Sequence, residues 1–164
     1  MPEEREQKVY EALAALGISY VRHEHLPVFT VEQALVHWQG IEGAHCKNLF
    51  LRNKKGNHHY LLIAEHLKKV DLQAIAKKLD DDRLSFGSDE RLKKYLGLSS
   101  GEVSPFGLLY DAQKEVVVIV DADLQKERCI NFHPNVNTAT LTISYADFER
   151  FLAACGNPVR VLSF

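Results

Sequence analysis

The hydrophobic pattern of the chain alternates between segments with the spacing of a helix face and segments with the spacing of a strand. In the first segment Val9, Leu13 and Leu16 recur at helical spacing, and Gly17 is suited to end the helix. Later helices begin at side chains that can accept hydrogen bonds from the first free N–H groups. These capping residues are Thr30 (with Gln33 in a capping box), Asp71, Ser88 and Ser144. The predicted helices cover residues 3–16, 30–40, 71–79, 88–97 and 146–155.

Strand patterns occupy most of the remaining chain. The β-branched run at 116–120 is typical of a strand buried on both faces. Segments 46–52 and 59–64 flank Lys55-Gly56-Asn57 and predict a hairpin with a short turn. Residues 98–107, rich in Ser, Gly and Pro, predict a loop. Further strands are predicted at 18–22, 84–86, 128–133, 139–143 and 159–162.

These helices and strands are mixed without a regular βαβ rhythm. The pattern favours an α+β fold with a curved, mainly antiparallel mixed sheet surrounded by helices. The chain has 164 residues, the length of one ordinary domain, and contains no internal repeat or linker. We therefore expect residues 1–164 to form a single domain.

The charge balance limits the kind of nucleic-acid contact that is plausible. The chain has 20 basic and 22 acidic residues and a net charge of −2. Proteins that coat long stretches of nucleic acid usually carry a basic excess, so a contact here should be short and locally basic. Three short basic clusters are candidates for such a contact: Arg52, Lys54 and Lys55; Lys68 and Lys69; and Arg91, Lys93 and Lys94. Taken singly, each cluster is explained at least as well as the solvent-exposed face of a hairpin or helix.

Cysteine usage and the amino terminus indicate a cytoplasmic protein. Three cysteines are an odd and sparse set, which argues against a disulfide framework. The N-terminal MPEEREQKVY lacks the apolar region of a secretory signal. No apolar run approaches the roughly 20 residues needed to span a bilayer, so no membrane association is expected.

Three familiar catalytic patterns are weak in this chain. Residues 97–101 fit the G-x-S-x-G nucleophile elbow, but they follow a predicted helix rather than a strand, so Gly97 is better explained as a helix C-cap. The histidines and cysteines show no paired zinc-ligand spacing, so no metal or cofactor is expected. A nucleophilic pair of Cys46 with His133 remains an open alternative, although free cysteine is more often a small buried hydrophobe.

Three polar features are poorly explained by packing. Lys47-Asn48 interrupts an apolar strand, and His133-Pro134-Asn135 ends another. Between them in the chain lies the loop 101–105, in which Gly101 can expose backbone N–H groups and Pro105 stiffens the exit. Each feature has a structural explanation when it is taken alone.

Taken together, four segments resemble one protein family. They are KNLFL at 47–51, LSFGSDERL at 84–92, GEVSPFGLLYD at 101–111 and NFHPNVNTATLTIS at 131–144. In this order and spacing they are similar to the YbaK/prolyl-tRNA-synthetase-associated editing domain, and within it to the freestanding, ProX/PrdX-like editing proteins. The resemblance covers nearly the whole chain.

The resemblance implies a trans-editing deacylase that hydrolyses mischarged tRNA(Pro), with a barrel-like α+β sheet. Alanine is the amino acid expected from the freestanding members, and cysteine from the YbaK-like relatives. The implied partners are the mischarged acceptor end of tRNA(Pro) and prolyl-tRNA synthetase. A non-catalytic tRNA-binding module and a small-molecule serine or cysteine hydrolase are the competing functions.

The same resemblance assigns the site residues. The essential lysine of the family falls on Lys47, its loop glycine on Gly101 and its histidine on His133, which make up the predicted catalytic set. Backbone N–H groups of the loop would stabilise the oxyanion of ester hydrolysis. Lys47 would anchor the terminal adenosine or a phosphate, and His133 would orient the substrate or move a proton. The predicted substrate-binding set is Phe29, Thr30, Asn48, Val103, Ser104, Pro105, Phe106 and Asn135.

Overall fold

The computed structural model describes residues 3–164 of the chain. The α-helices of these residues are α1 (Glu4–Ala15), α2 (Val31–Trp38), α3 (Leu72–Lys78), α4 (Asp89–Leu96) and α5 (Tyr145–Cys155). The strands are β1 (Val21–Glu24), β2 (Ala44–Asn53), β3 (His59–Glu65), β4 (Leu84–Phe86), β5 (Val116–Asp121), β6 (Cys129–Phe132), β7 (Ala139–Ser144) and β8 (Val159–Leu162). Two short 3₁₀ helices span Pro105–Tyr110 and Ala122–Lys126.

The predicted helix caps are confirmed. Thr30, Asp71, Ser88 and Ser144 each accept a hydrogen bond from a backbone N–H in the first turn of the helix that follows. Gly97 and Gly156 end α4 and α5 in the left-handed conformation. Within residues 3–164, every helix is too short or too polar to cross a bilayer.

The strands form one mixed sheet in the order β1-β7-β6-β2-β3-β5-β8, with β4 paired to β2. Most pairings are antiparallel, but β2·β6, β3·β5 and β5·β8 are parallel. The β2–β3 hairpin and the buried strand β5 lie where the sequence predicts them. The α+β fold class with a mainly antiparallel mixed sheet is therefore confirmed.

The two edges of β2 have different partners. One edge pairs with β3 from Cys46 to Arg52. The other edge pairs with β6 only at Ala44 and His45, and with β4 only from Leu51 to Asn53. Between these two contacts the edge of β2 is open, and this gap positions the candidate site.

Two hydrophobic clusters lie on the two faces of the hairpin. Phe50 belongs to the first cluster, with Leu61 and Ile63, whereas Leu51 and Leu62 belong to the second. Because successive strand residues point to opposite faces, even-numbered positions of β2 face the first cluster and odd-numbered positions face the second.

Two sequence predictions need correction. The strand predicted at 18–22 begins only at Val21, because Ile18 is buried in the core at the end of α1 and pairing with β7 starts at Val21. The loop predicted at 98–107 ends in a 3₁₀ helix that begins at Pro105. The fixed φ of proline suits the first helical position, and Ser104 caps the turn.

Candidate active site

A small pocket lies where β2 and β6 diverge after their two-residue contact. Residues from both strands, from β7 and from α2 surround it. The lining residues are Trp38, His45, Cys46, Asn48, Asn131, Phe132, His133 and Thr140. The structure thus brings the predicted residues Asn48 and His133 into one pocket, although they are far apart in the sequence.

His133 presents one ring nitrogen as a hydrogen-bond acceptor. Its Nδ1 lies 3.1 Å from the carbonyl oxygen of Ala139. Since a carbonyl only accepts, Nδ1 carries the proton and Nε2 keeps its lone pair when the ring is neutral. Burial lowers the pKa of His133, and the neighbouring His25 ring lowers it further, which together outweigh the opposing effect of the Ala139 hydrogen bond. The imidazole is therefore neutral at pH 7.

The loop 101–105 carries backbone N–H groups that have no acceptor within the described part of the protein. The N–H groups of Gly101, Val103 and Ser104 have no acceptor among residues 3–164. Gly101 has φ +87°, and a Cβ built there would meet no protein atom within 4 Å. The backbone conformation, rather than close packing within the protein, requires glycine at this position. Arg5 of α1 holds the loop from outside through an ion pair of 2.8 Å with Glu102.

Ser104 connects the loop to the histidine. Its hydroxyl donates to the backbone carbonyl of His133 at 2.6 Å and accepts from the N–H of Phe106 at 3.1 Å. The side chain is fully buried, so both bonds are shielded from water. This contact places the free N–H groups of the loop beside the segment that carries the imidazole.

Phe106 and Pro105 support the loop from the core. Both are buried, and the ring of Phe106 packs edge-to-face against Phe132 and Phe151. Neither side chain presents a surface in this structure, and the predicted contact of Phe106 and Pro105 with substrate stays a prediction. Val103 is partly exposed and packs against the same core.

Phe29 and Thr30 lie at the rim. Phe29 is 77% exposed, and Thr30 is exposed as the N-cap of α2. Their segment runs beside the turn after His133, because the N–H of Val28 donates to the carbonyl of Asn137 at 3.3 Å. Phe29 therefore stands next to the site without packing into it.

Two asparagines of the predicted substrate-binding set have buried side-chain polar atoms without hydrogen-bond partners among the described residues. Asn135 is 0% exposed, and neither polar atom of its amide has a hydrogen-bond partner among the described residues. The Oδ1 atom of Asn48 also lacks one. Buried polar groups are nearly always paired, so the unpaired Oδ1 of Asn48, a residue that lines the pocket, indicates a binding role. Asn135 also adopts φ +62°, an uncommon conformation for a residue other than glycine.

Sequence reasoning missed several aromatic residues that surround the pocket. The His25 ring lies 6.2 Å from that of His133 and 5.1 Å from that of His37, and Trp38 stacks on His45 at 4.5 Å. The two-residue spacing of His23, in β1, and His25, directly after β1, was the available signal, since side chains two residues apart in extended chain point the same way. Within residues 3–164, no group of three or more His, Cys, Asp or Glu side chains is arranged to hold a metal ion.

Lys47 points away from the pocket. As an odd-numbered residue of β2 it shares a face with Leu49 and Leu51, opposite to Asn48, and its ammonium donates to the carbonyl of Lys68. The structure therefore brings together His133, Asn48 and the loop of Gly101, but it does not bring Lys47 to them. Its predicted role as a substrate anchor stays a prediction.

Two other potential nucleophiles are poorly suited to the task. Burial raises the pKa of the Cys46 thiol, so the reactive thiolate is disfavoured. Ser99 follows α4, whose end is capped by Gly97, rather than a strand. Both observations weigh against a cysteine or serine hydrolase.

Comparison with known proteins gives consistent results. The model of the aminoacyl-tRNA editing domain family matches residues 25–151. The "Prolyl-tRNA editing protein ProX" of Acetoanaerobium sticklandii is 42% identical over 163 residues, covering 99% of both chains. The "Prolyl-tRNA synthetase associated domain-containing protein 1" of Bos taurus is 34% identical over 157 residues, which is 94% of this chain and 92% of that protein.

A solved structure shares the fold. It belongs to a "putative trans-editing enzyme for prolyl tRNA synthetase" and superposes with a TM-score of 0.74 at 20% identity. The match covers 100% of this chain and 99% of the other.

Proposed function

The chain belongs to the aminoacyl-tRNA editing domain family, and on this premise we propose that it is a trans-editing deacylase of mischarged tRNA(Pro). The amino acid that we propose it removes is alanine. One observation carries the chemistry: the hydrogen bond from Ser104 to the His133 carbonyl joins a loop with free N–H groups to a histidine with a free Nε2. Ester hydrolysis needs both kinds of group.

The loop would act on the carbonyl oxygen of the ester. As water attacks, this oxygen becomes a tetrahedral oxyanion, and preorganised N–H donors stabilise it more than they stabilise the ground state. The free N–H groups of Gly101 and Val103, residues that are not buried, are the available donors. Each well-placed donor of this kind is worth about 3–4 kcal/mol of barrier.

His133 would move the proton. Its neutral Nε2 accepts a proton from the attacking water as the new C–O bond forms. The imidazolium then returns the proton to the ribose oxygen as the ester C–O bond breaks. The products are free alanine and uncharged tRNA, and no covalent enzyme intermediate is required.

The unpaired amide oxygen of Asn48 would bind the aminoacyl group. This Oδ1 atom belongs to a residue that lines the pocket, and it can accept a hydrogen bond from an α-ammonium group, which would supply its missing partner. The binding role of Asn135, whose amide is fully buried and outside the pocket lining, stays a prediction. Specificity would then depend on size, since the pocket between β2 and β6 is only about 10 Å³ and would have to widen less for a methyl side chain than for a pyrrolidine ring. Exclusion of the larger, correct product is the logic of a second sieve.

The direct test uses tRNA(Pro) charged separately with alanine, cysteine and proline. We expect rapid loss of the alanyl ester, and loss of the prolyl ester no faster than in buffer. Faster hydrolysis of the cysteinyl ester would favour the YbaK-type alternative. Binding of tRNA without hydrolysis of any of the three esters would contradict the proposal and favour the non-catalytic module. Because charged tRNA is made and used in the cytoplasm, we propose that the protein acts there, with prolyl-tRNA synthetase as a further partner.

Lys47 offers a separate prediction. If its ammonium exchanges the Lys68 carbonyl for the terminal adenosine or a phosphate, Lys47→Ala should lower kcat/KM for alanyl-tRNA(Pro) by more than about tenfold, mainly through KM. Steady-state deacylation kinetics measure this. Lys77→Ala, which removes an exposed cation of α3, serves as the matched control and should retain wild-type kinetics. Wild-type kinetics for Lys47→Ala would remove the anchoring role.

A further inference from the structure

Three cations converge at the tip of the β2–β3 hairpin. Arg52 and Ser85 are direct partners in the β2·β4 pairing, and Lys54 and Arg83 continue the same face of the two strands. The three cations and Ser85 line a cleft of about 320 Å³. We call it the hairpin-tip cleft; its lining residues are Arg52, Lys54, Arg83 and Ser85. No carboxylate is among the residues that line it.

The cations of the cleft lack anionic partners. Among the described residues, none of Arg52, Lys54 and Arg83 forms an ion pair, whereas cations elsewhere do. The nearby carboxylates are engaged with other groups: Asp81 accepts hydrogen bonds from Tyr60, His58 and Asn53, and Asp82 accepts from the backbone N–H of Lys54 at 2.6 Å. Asp82 keeps its charge beside the cleft but forms no ion pair with the three cations, so an anion bound in the cleft would reduce the repulsion among them.

Helix α4 extends the positive region. Arg91 donates to the ring of His59 at 2.9 Å, and Lys94 and Glu90 line the neighbouring cleft of about 350 Å³. Burial, followed by the positive charges of Arg91, Arg52 and Lys94, lowers the pKa of His59 to about 4. Arg52 of the hairpin-tip cleft and Arg91 and Lys94 of the neighbouring cleft thus lie close enough to act on the same side chain.

The hairpin-tip cleft lies on the same edge of β2 as the candidate active site. That edge contacts β6 at its start, is open beside Asn48, and contacts β4 from Leu51 onward. Arg52 lies four positions after Asn48 along β2, a distance of about 13 Å. Consecutive nucleotides of an RNA strand repeat every few ångströms. If the 3′ end of the strand enters the pocket, its next phosphates would therefore come within reach of the hairpin-tip cleft.

We propose that the hairpin-tip cleft binds backbone phosphates of the tRNA acceptor arm while the aminoacylated 3′ end occupies the pocket between β2 and β6. This inference rests on the proposed function for the identity of the RNA. Arginine and lysine are the usual phosphate ligands, and the hydroxyl of Ser85 adds a neutral donor. Phosphate contacts position an RNA without reading its bases, so the cleft contributes affinity and orientation and the pocket contributes specificity.

The test is a Lys54→Ala/Arg83→Ala double variant, because both side chains are exposed and their loss leaves the core intact. Fluorescence anisotropy with uncharged tRNA(Pro) should show a Kd raised about tenfold or more at low salt. The slope of log Kd against log salt should become shallower by about 1–2, as expected for the loss of one or two phosphate contacts. The double variant should also bind a tRNA specific for another amino acid more weakly by the same factor, because phosphate contacts do not depend on the base sequence. Lys77→Ala is again the control, and thermal melting checks the fold.

A Kd and a salt slope equal to those of the wild type would overturn the proposal. A raised Kd with an unchanged salt slope would also overturn it, because the side chains would then act on structure rather than on phosphate. The binding measurement uses uncharged tRNA, so it decides on the cleft even if the protein hydrolyses no ester. Failure of the proposed function is thus distinguishable from failure of this inference.

Discussion

Replacement of His133 by alanine should lower kcat for alanyl-tRNA(Pro) by about 100-fold or more, the usual contribution of a positioned general base. The substitution removes the imidazole and its free Nε2 but keeps the backbone carbonyl to which Ser104 donates. The loop therefore stays attached, and the loss reports on proton transfer. Single-turnover deacylation with saturating enzyme measures the effect.

The pH profile gives the same residue a second test. Only the neutral imidazole can accept the proton, and burial lowers the pKa of His133 below the ordinary value of about 6.5. The wild-type rate, corrected for hydrolysis in buffer, should therefore stay level from neutral pH downward and fall only at a pH below about 6.5. His133→Ala should lack this acidic fall.

A neighbouring histidine provides the control. His23 lies on β1 and contacts Thr142 of β7 through its Nε2 at 3.1 Å, so His23→Ala removes a comparable side-chain contact to the same strand. It should keep kcat within a few-fold of the wild type. An equal loss in both variants would mean that the effect is structural and would contradict the assignment of His133.

Replacement of Gly101 by alanine should also lower kcat by about 100-fold, the usual cost of losing one oxyanion donor. The native φ of +87° is strained for any residue with a Cβ, by about 1–3 kcal/mol. The loop can relieve the strain by rotating this residue toward negative φ, which moves the N–H groups away from the ester oxygen. The expected signature is a reduced kcat with little change in KM, measured on alanyl-tRNA(Pro).

Gly17→Ala is a closely matched control for this prediction. Gly17 also has a positive φ, +67°, and a Cβ there would likewise meet no atom within 4 Å. Both variants should lose similar stability in urea or thermal unfolding, since both introduce the same kind of strain. Only Gly101→Ala should lose activity, and a wild-type kcat in that variant would contradict the oxyanion role.

Much of the secondary structure is predictable because its signals are local. A capping side chain acts on N–H groups two or three residues away, and a glycine at a helix end acts on the turn before it. The β2–β3 hairpin follows from two short apolar runs with a turn between them. Strand β5 follows from one apolar run without a polar interruption. The 3₁₀ helix at Pro105–Tyr110 was missed because its start also has the composition of a loop.

The candidate site was only partly predictable. Motif order pointed to Asn48, Ser104 and His133, and the structure brings these residues together. The roles of single side chains depended on contacts that no local pattern encodes. Phe106 was expected to face the substrate, yet its ring is buried between Phe132 and Phe151, because the apolar run that begins at Pro105 turns into the core.

The sequence by itself determined the helices, most strands and the family to which the chain is similar, because these depend on short-range spacing and on the order of motifs. The tertiary structure alone decided which residues share a surface. It decided that the face of β2 with Asn48, and not the face with Lys47, borders the pocket, and it joined Ser104 to His133 across 29 residues of chain. The bond to Ala139 fixed the tautomer of the imidazole. Such contacts depend on how the loop 101–105, the end of β6 and the start of β7 pack together, which no local sequence pattern encodes.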